Sequence, residues 1–375
     1  MEINEHTTEP LIIRYLHNKA GREGVSVSTT FELTSRCNFR CKMCYVCNED
    51  CEKNKSEELT KEEWFKIAEQ AKQDGVLFIL LTGGEPLIRT DFCEIYEHLS
   101  KMGFVLSINT NGSLLTEKHF DLFKKYPPNR VNLSLYGTSD EVYKSFCGVP
   151  AYKKVLNNIL KLKEMKIPLV INCSLTPRNE CDYETIKAFC AENDLILRTA
   201  SYMFPASRFL RNSERFTAFD AGKYRVITDR DKLIPEIFAE RVNRIMHGIE
   251  TTGDCPVDTE GTGIKCRAGS SSSWVTWNGK MSFCGMVPAE AECDVIALGF
   301  HDAWLKTIKR AKSVVLPAKC SRCKYSHMCS ICAASAFCET GKFDCVPEYV
   351  CEMSKSAVKF YSEYFKGELS DEIKR

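Results

Sequence analysis

The sequence predicts an α/β fold built from parallel βαβ units. Six short β-rich runs lie between about residues 25 and 200, and amphipathic helical patterns separate them. Strands that alternate with helices along a chain are typical of a parallel sheet, because each helix crosses over between neighbouring strands. From this alternation alone, an open sheet and a partial barrel both fit.

The elements follow one another in a regular order. Apolar residues at positions 25, 27, 31 and 33 indicate the first strand, and a capping box at Thr60 and Glu63 predicts the start of the first helix after it. Helical spacing returns from Phe92 and from Val155. The remaining strands are predicted at residues 77–81, 104–108, 131–135, 169–175 and 195–197.

The second half of the chain has a different composition. Residues 201–253 break the βα alternation and carry helical periodicity near Ile237, and after Gly253 the chain is rich in Gly, Ser and Cys. Such a segment builds a poor apolar core, so we expect a metal to supply part of its folding energy. The predicted divisions are an extension at 1–22, the βα region at 23–200, a helical linker at 201–253, a cysteine-rich domain at 254–355, and a C-terminal helix and tail at 356–375.

Composition excludes several classes of function. The 375 residues include 51 basic and 50 acidic side chains, so net charge gives no reason to bind nucleic acid or an anionic membrane. The first ten residues do not resemble a signal peptide, and the longest apolar run, residues 76–81, is too short to span a bilayer. We therefore expect a cytoplasmic protein in which many of the 21 cysteines are metal ligands rather than disulfides. Cysteines without ligand spacing, such as Cys93 and Cys147, are expected to be buried free thiols.

Three cysteines follow the first strand at C-x3-C-x2-C spacing. Cys37, Cys41 and Cys44 can wrap one metal cluster and leave a coordination position without a local ligand. A metal coordination position without a protein ligand indicates a catalytic site rather than a purely structural one. The alternative is a structural zinc site that Cys47 or Cys51 completes.

Polar residues end the predicted strands. The second strand runs into Gly83-Gly84-Glu85-Pro86, and glycines there let a ligand approach the backbone closely, although a Gly-Gly pair alone is more often a turn. The C-terminal ends of strands form the rim where α/β barrels build their sites. Further polar candidates on this rim are Thr110, Asn111 and Ser134.

The cysteine loop followed by Gly-Gly-Glu-Pro resembles the radical S-adenosylmethionine superfamily over about residues 23–200. The resemblance implies a partial (β/α)6 barrel and a four-iron four-sulfur cluster on Cys37, Cys41 and Cys44. It also implies reductive cleavage of S-adenosylmethionine to a 5′-deoxyadenosyl radical, with a flavodoxin- or ferredoxin-type protein as reductant. The implied contacts to S-adenosylmethionine are Gly83, Gly84 and Glu85 at its amino group and Ser134 at its carboxylate or ribose end, with Thr110 and Asn111 as further candidates. Tyr136 departs from the family pattern, since several relatives carry an acidic residue there.

A second cysteine pattern occupies the C-terminal half and comprises Cys266, Cys284, Cys320, Cys323, Cys329, Cys332 and Cys351. One zinc ion binds four ligands and would leave at least three of these cysteines unused, whereas two cubane clusters need up to eight. The pattern resembles the SPASM extension of radical S-adenosylmethionine enzymes that modify peptides and proteins, over about residues 255–355. It implies one auxiliary four-iron four-sulfur cluster on Cys266, Cys284 and Cys332, with Cys255 as fourth ligand or an open iron. The implied ligands of the second auxiliary cluster are Cys320, Cys323, Cys329 and Cys351. Cys338 and Cys345 are alternates for the uncertain ligands, and His327, which lies inside the second motif, is expected to be an exposed or core histidine rather than a ligand.

The resemblance favours a peptide maturase. Anaerobic sulfatase maturases carry an Asp after the second cysteine of the auxiliary motif, whereas Gly285-Met286 follows Cys284 here. Maturases of ribosomally made precursor peptides, which install thioether, carbon–carbon or other modifications, fit better. Only 36 residues precede Cys37, so we expect leader recognition by a separate protein or by the barrel and residues 201–253. A non-catalytic iron–sulfur electron-transfer protein is the remaining alternative, but it leaves Gly-Gly-Glu-Pro unused.

Overall fold

The computed structural model describes residues 9–46, 55–206, 215–233, 235–251, 261–321, 323–326, 328–329 and 331–366. Four residues of interest from the sequence, Cys47, Cys51, Cys255 and His327, lie outside these ranges. Among the helices in the described ranges, none has the length and apolar character needed to cross a bilayer.

The prediction of an α/β fold with six parallel strands is confirmed. The strands are β1 (Ser28–Glu32), β2 (Phe78–Thr82), β3 (Val105–Thr110), β4 (Arg130–Ser134), β5 (Leu169–Ser174) and β6 (Ile196–Ala200). They lie in sequence order across one sheet, and each is parallel to its neighbour. All six C-terminal ends therefore meet at one rim.

One helix precedes β1, and the others of this region cross over between the strands. In chain order they are α1 (Leu11–Glu23), α2 (Lys61–Gln73), α3 (Phe92–Lys101), α4 (Glu117–Lys125), α5 (Asp140–Cys147), α6 (Tyr152–Glu164) and α7 (Tyr183–Glu192). The predicted capping box is present, because Thr60 accepts from the Glu63 N–H and Glu63 accepts from the Thr60 N–H. Helix α2 buries Trp64 completely against Phe31 of β1. Burial of one such side chain stabilises the fold by about 1.5–3 kcal/mol.

The C-terminal half extends the same sheet, a join that the sequence patterns do not indicate. Strand β7 (Ser272–Val275) pairs in parallel with the free edge of β1, and β8 (Met281–Ser282) pairs antiparallel with β7. Trp304, on a helix that follows β8, packs in the main core, and its indole N–H donates to the Gly24 carbonyl at 2.8 Å. The cysteine-rich segment is thus attached to the βα region through backbone pairing.

Helices make up most of the remaining chain. They are α8 (Ala218–Lys232), α9 (Pro235–Thr251), α10 (Val295–Leu298), α11 (Phe300–Ser313), α12 (Ala318–Ser321), α13 (Ala333–Thr340) and α14 (Glu348–Phe365), with short 3-10 turns at Pro86–Ile88, Glu180–Asp182 and Ala291–Cys293. Helix α14 packs along α8 and α9 around a second core that includes Tyr224, Phe238 and Tyr361. The buried Tyr361 hydroxyl donates to Asp229 at 2.6 Å.

Candidate functional site

The cysteine loop leaves the sheet at the C-terminal end of β1. The backbone N–H groups of Gly84 and Glu85 donate to the Thr34 and Arg36 carbonyls, each at 2.8 Å. The Arg36 guanidinium makes two 2.8 Å bonds to the Glu58 carboxylate, a bidentate pair that fixes the chain just before Cys37. The start of the loop is therefore held to β2 by backbone and side-chain bonds.

The two glycines after β2 are required by this close approach. A Cβ atom at Gly83 would lie 2.4 Å from the Thr34 carbonyl oxygen, and one at Gly84 would lie 2.4 Å from the Arg36 carbonyl oxygen. Neither oxygen can move without displacing the chain that leads to Cys37. The Gly-Gly pair is thus a packing requirement of the cysteine loop as well as an opening toward a ligand.

The structure brings the residues of the two N-terminal motifs together. Cys37, Cys41 and Cys44 line one cavity with Gly83 and Gly84, and its empty volume is about 640 Å³. All three thiols are half-buried. Burial raises the pKa of the Cys37 thiol above its ordinary value, and the neighbouring Glu85 carboxylate raises it further.

A helix end supports the other side of the loop. The N–H groups of Arg40 and Lys42 donate to the carbonyls of Cys147 and Phe146, at 2.8 and 2.9 Å, where α5 ends. The last carbonyls of a helix have no partner within the helix, so the loop satisfies them. The thiols of Cys41 and Cys147 are hydrogen-bonded to each other, and this bond and burial raise the pKa of Cys41. Cys147 has no ligand spacing in the sequence, and it is buried as expected, but its contact with the cysteine loop was not predicted.

Glu85 has a role that the motif does not reveal. Its side chain is fully buried, and its carboxylate accepts from the Thr110 hydroxyl at 2.7 Å and from the Asn111 N–H at 2.6 Å. It also accepts from the Leu87 N–H at 3.1 Å. Burial raises the pKa of Glu85 to about 7, and these hydrogen bonds oppose the shift. The carboxylate therefore binds protein donors, and a ligand contact at this position would have to come from the backbone.

The remaining rim candidates lie beside the loop. Ser134 at the end of β4 is hydrogen-bonded to the Tyr136 side chain, and the Tyr136 ring stacks on Phe146 at 4.9 Å. Burial raises the pKa of Tyr136 well above its usual range, and the nearby Cys41 adds to the rise. Tyr136 is thus a neutral aromatic side chain in contact with the α5 end that supports the cysteine loop.

The cysteine loop offers the donor set of an iron–sulfur cluster. Three cysteine thiols line one cavity beside Gly83 and Gly84. In a cubane each cysteine binds a different iron, so three thiols around one cavity fit that group.

Four C-terminal cysteines share a second cavity. Cys320, Cys323, Cys329 and Cys351 line it, and its empty volume is about 1380 Å³. Burial raises the pKa of Cys320 to about 11, with the thiols of Cys351, Cys329 and Cys323 adding to the rise. The lysines that line the same cavity are Lys265, Lys319 and Lys355.

The other predicted auxiliary ligands are less closely grouped. Cys284 and Cys332 pack against one small core, and the Cys332 sulfur caps α13 by accepting from the Ser335 N–H at 3.4 Å. Cys266 is exposed and lines a separate cavity beside α1. Of the alternates, Cys338 donates to the Met286 carbonyl at 3.3 Å and Cys345 lies beside Asp344.

Comparison with protein families and with curated sequences gives concordant results. The sequence model of the Radical SAM superfamily matches residues 31–190. The chain is 25% identical over 330 residues to the AdoMet-dependent heme synthase of Methanosarcina barkeri, which spans 84% of this chain and 93% of that protein. It is 30% identical over 254 residues to the probable GTP 3′,8-cyclase of Methanocaldococcus jannaschii, which spans 67% of this chain and 83% of that protein.

Solved structures share the fold. Streptococcus suis SuiB bound to S-adenosylmethionine superposes with a TM-score of 0.62 at 16% identity, covering 91% of this chain and 81% of SuiB. The protein anSMEcpe, bound to AdoMet and the peptide Cp18Cys, superposes with a TM-score of 0.62 at 16% identity. The superposition covers 91% of this chain and 98% of the anSMEcpe chain. Both similarities extend well beyond residue 200, into the cysteine-rich half.

Proposed function

The chain belongs to the radical SAM superfamily, and from this membership we propose that it is an enzyme that modifies a peptide or protein substrate. The observation that carries the proposal is the single cavity where Cys37, Cys41 and Cys44 meet Gly83 and Gly84. These three thiols would hold the four-iron four-sulfur cluster, and the glycine backbone would line the amino group of S-adenosylmethionine. When bound, the cluster supplies the electron that cleaves S-adenosylmethionine to a 5′-deoxyadenosyl radical, which abstracts hydrogen from the substrate.

A neighbouring cavity provides a place for the substrate. It is lined by Lys42 and Met43, which lie between the second and third cysteines of the loop. Thr176 and Arg178 line its other side, just after β5. A substrate bound here lies at the C-terminal rim, within reach of a radical formed at the cysteine loop.

The C-terminal cysteines are proposed as auxiliary cluster ligands. Cys320, Cys323, Cys329 and Cys351 would hold one cluster, because all four line one cavity. Cys266, Cys284 and Cys332 would hold the other, with Cys255 or an open position completing it. Held by these residues, an auxiliary cluster would supply an electron acceptor close to the substrate-modifying half of the protein.

Two similar structures support a peptide substrate. SuiB has been solved with its precursor peptide SuiA, and anSMEcpe with the peptide Cp18Cys. A second candidate is AdoMet-dependent heme synthesis, since the heme synthase of Methanosarcina barkeri matches 84% of this chain. The sulfatase-maturase activity remains less favoured, because Gly285 follows Cys284.

Formation of 5′-deoxyadenosine tests the assignment of the loop. The anaerobically reconstituted protein, given S-adenosylmethionine and dithionite, should release 5′-deoxyadenosine, and Cys41→Ala should lower that rate at least a hundredfold. Cys93→Ala, a buried cysteine on α3, is the matched control and should retain it. Persistent activity in Cys41→Ala would show that the loop does not hold the cluster. Iron analysis should give about twelve irons per chain for three clusters.

Mass spectrometry separates the two substrate classes. A precursor peptide encoded beside the gene should change mass only in the presence of S-adenosylmethionine and reductant. An unchanged peptide together with S-adenosylmethionine-dependent formation of heme would replace the peptide assignment with the heme-synthesis one.

A further inference from the structure

We propose that Asn111 is a positioning residue of the cluster loop, whose side-chain amide holds the sulfur of Cys37 through a direct hydrogen bond. The inference rests on the proposed function, since it takes Cys37 as a cluster ligand. It also replaces the expectation that Asn111 contacts S-adenosylmethionine.

All the hydrogen-bonding capacity of the Asn111 side chain is used within the protein. Its Nδ2 donates to the Asn38 Oδ1 at 2.9 Å and to the Cys37 Sγ at 3.9 Å. Its Oδ1 accepts from the Ser113 N–H at 2.9 Å and from the Ser113 hydroxyl at 2.7 Å. A carboxamide has two donor hydrogens and two acceptor positions, so none is left for a ligand.

The Asn38 side chain closes the network. It accepts from Asn111 and donates through its own Nδ2 to the Ser113 hydroxyl at 2.9 Å. Asn38 directly follows Cys37 in the cysteine loop. The turn after β3 therefore contacts both the first cysteine and the residue that follows it.

The turn that presents Asn111 is fixed from three directions. The Asn111 backbone N–H donates to the buried Glu85 carboxylate at 2.6 Å, and the Gly112 carbonyl accepts from the Asn158 side chain at 2.7 Å. Gly112 has φ of +75° and lies so close to Leu133 that a Cβ atom would approach its Cδ1 to 2.7 Å. A side chain on such a rigid turn holds its bonding partners at fixed positions.

A donor at a cluster sulfur has two physical effects. It fixes the orientation of the ligand, as partners of metal ligands generally do. It also stabilises the reduced cluster, which carries one more negative charge, and so raises the reduction potential. Asn111 therefore favours reduction of the cluster before S-adenosylmethionine is cleaved.

The test is the midpoint potential of the loop cluster, measured by electron paramagnetic resonance without S-adenosylmethionine. It uses a background in which the C-terminal ligands Cys284, Cys332, Cys320 and Cys323 are replaced by Ala. Asn111→Asp keeps the shape of the side chain and removes both donor hydrogens. At a fixed ambient potential, the ratio of reduced to oxidised cluster should fall about tenfold, which is 59 mV for a one-electron couple.

Asn132→Asp is the matched control. Asn132 is also a buried amide on the sheet, and its Nδ2 donates to the Asn109 Oδ1 at 2.8 Å rather than to a cysteine sulfur. This substitution changes the charge by the same amount. The ratio of reduced to oxidised loop cluster should therefore stay within about twofold of the parent value. Asn38→Ala, which removes the loop partner of Asn111, should shift the ratio in the same direction by a smaller factor.

The outcomes separate this inference from the proposed function. If no loop cluster assembles in the parent protein, the proposed function fails. If the cluster assembles and Asn111→Asp leaves its potential unchanged but weakens S-adenosylmethionine binding, the function stands and Asn111 is a ligand-binding residue instead. Loss of loop iron in Asn111→Asp with retention in Asn132→Asp and unchanged circular dichroism also supports the positioning role.

Discussion

The two cysteine sites are held by different kinds of structure. The loop of Cys37, Cys41 and Cys44 is bonded on one side to the end of β2 and on the other to the end of α5, beside the largest core. The cavity of Cys320, Cys323, Cys329 and Cys351 is built from the four-residue helix α12, irregular chain and one face of α14. We infer that the protein itself shapes the first site, whereas a bound group stabilises the second. Each of the following variants probes that contrast.

Removal of the two ligand sets should have unequal effects on stability. Replacement of Cys320, Cys323, Cys329 and Cys351 by Ala should remove four irons and lower the thermal midpoint by about 10 °C, because metal binding there is folding energy. Replacement of Cys37, Cys41 and Cys44 by Ala should also remove four irons but change the midpoint by less than about 3 °C. Anaerobic calorimetry with iron analysis measures both. Equal losses of stability would contradict the contrast.

Gly84→Ala tests how tightly the protein shapes the first site. The added Cβ would meet the Arg36 carbonyl oxygen at 2.4 Å, so the chain before Cys37 must shift. We expect a loss of about 1–3 kcal/mol in the free energy of unfolding and at least a tenfold fall in 5′-deoxyadenosine formation. Gly21→Ala in α1 is the control, since its Cβ would meet nothing closer than 3.7 Å. Normal activity in Gly84→Ala would mean that the loop tolerates displacement.

The pH dependence of stability tests the buried carboxylate beside the first site. Burial raises the pKa of Glu85 from 4.5 to about 7, so the folded protein holds a proton that the unfolded chain releases. Its contribution to stability is complete below about pH 4.5 and is lost as the pH rises through about 7, a change of up to about 3 kcal/mol. Urea unfolding of the iron-free protein at several pH values measures it. Glu85→Gln should remove this slope, and a slope that persists would assign it to another group.

Lys355→Gln should have the smallest effect. Lys355 lies in the second cavity and opposes the rise that burial gives to the pKa of Cys351. Without that charge the thiolate fraction falls, so alkylation of Cys351 in the iron-free protein at pH 8 should slow by less than about threefold. Lys359→Gln, on the same helix and 63% exposed beside Glu363, should leave the rate unchanged. Equal slowing in both would indicate general charge rather than local placement.

The sequence predicted the part of the fold that repeats. Each β-rich run before residue 200 corresponds to a strand, because apolar and β-branched residues suit the pleated, partly buried surface of a sheet. Strand β7 was not predicted, since Ser-Ser-Trp-Val is short and half polar. Strand β7 forms because it pairs with the free edge of β1. That pairing depends on tertiary structure rather than on the local sequence pattern.

The candidate site divides in the same way. Spacing predicted that Cys37, Cys41 and Cys44 act together, because three residues on one short loop cannot lie far apart. Spacing could not show that Cys147 contacts Cys41, nor that the carboxylate of Glu85 is buried among protein donors. Those relations depend on where α5 ends and on how β2 and β3 are aligned.

The pairing of β7 with β1 also orders events during synthesis. Strand β1 ends at Glu32, but the strand that covers its outer edge ends at Val275. At about 5–20 residues per second, that edge stays uncovered for on the order of 10–50 s on the ribosome. An uncovered edge can pair with another chain, so a nascent chain that stalls before β7 should aggregate. Translation speed between the two strands is therefore a determinant of the yield of folded protein.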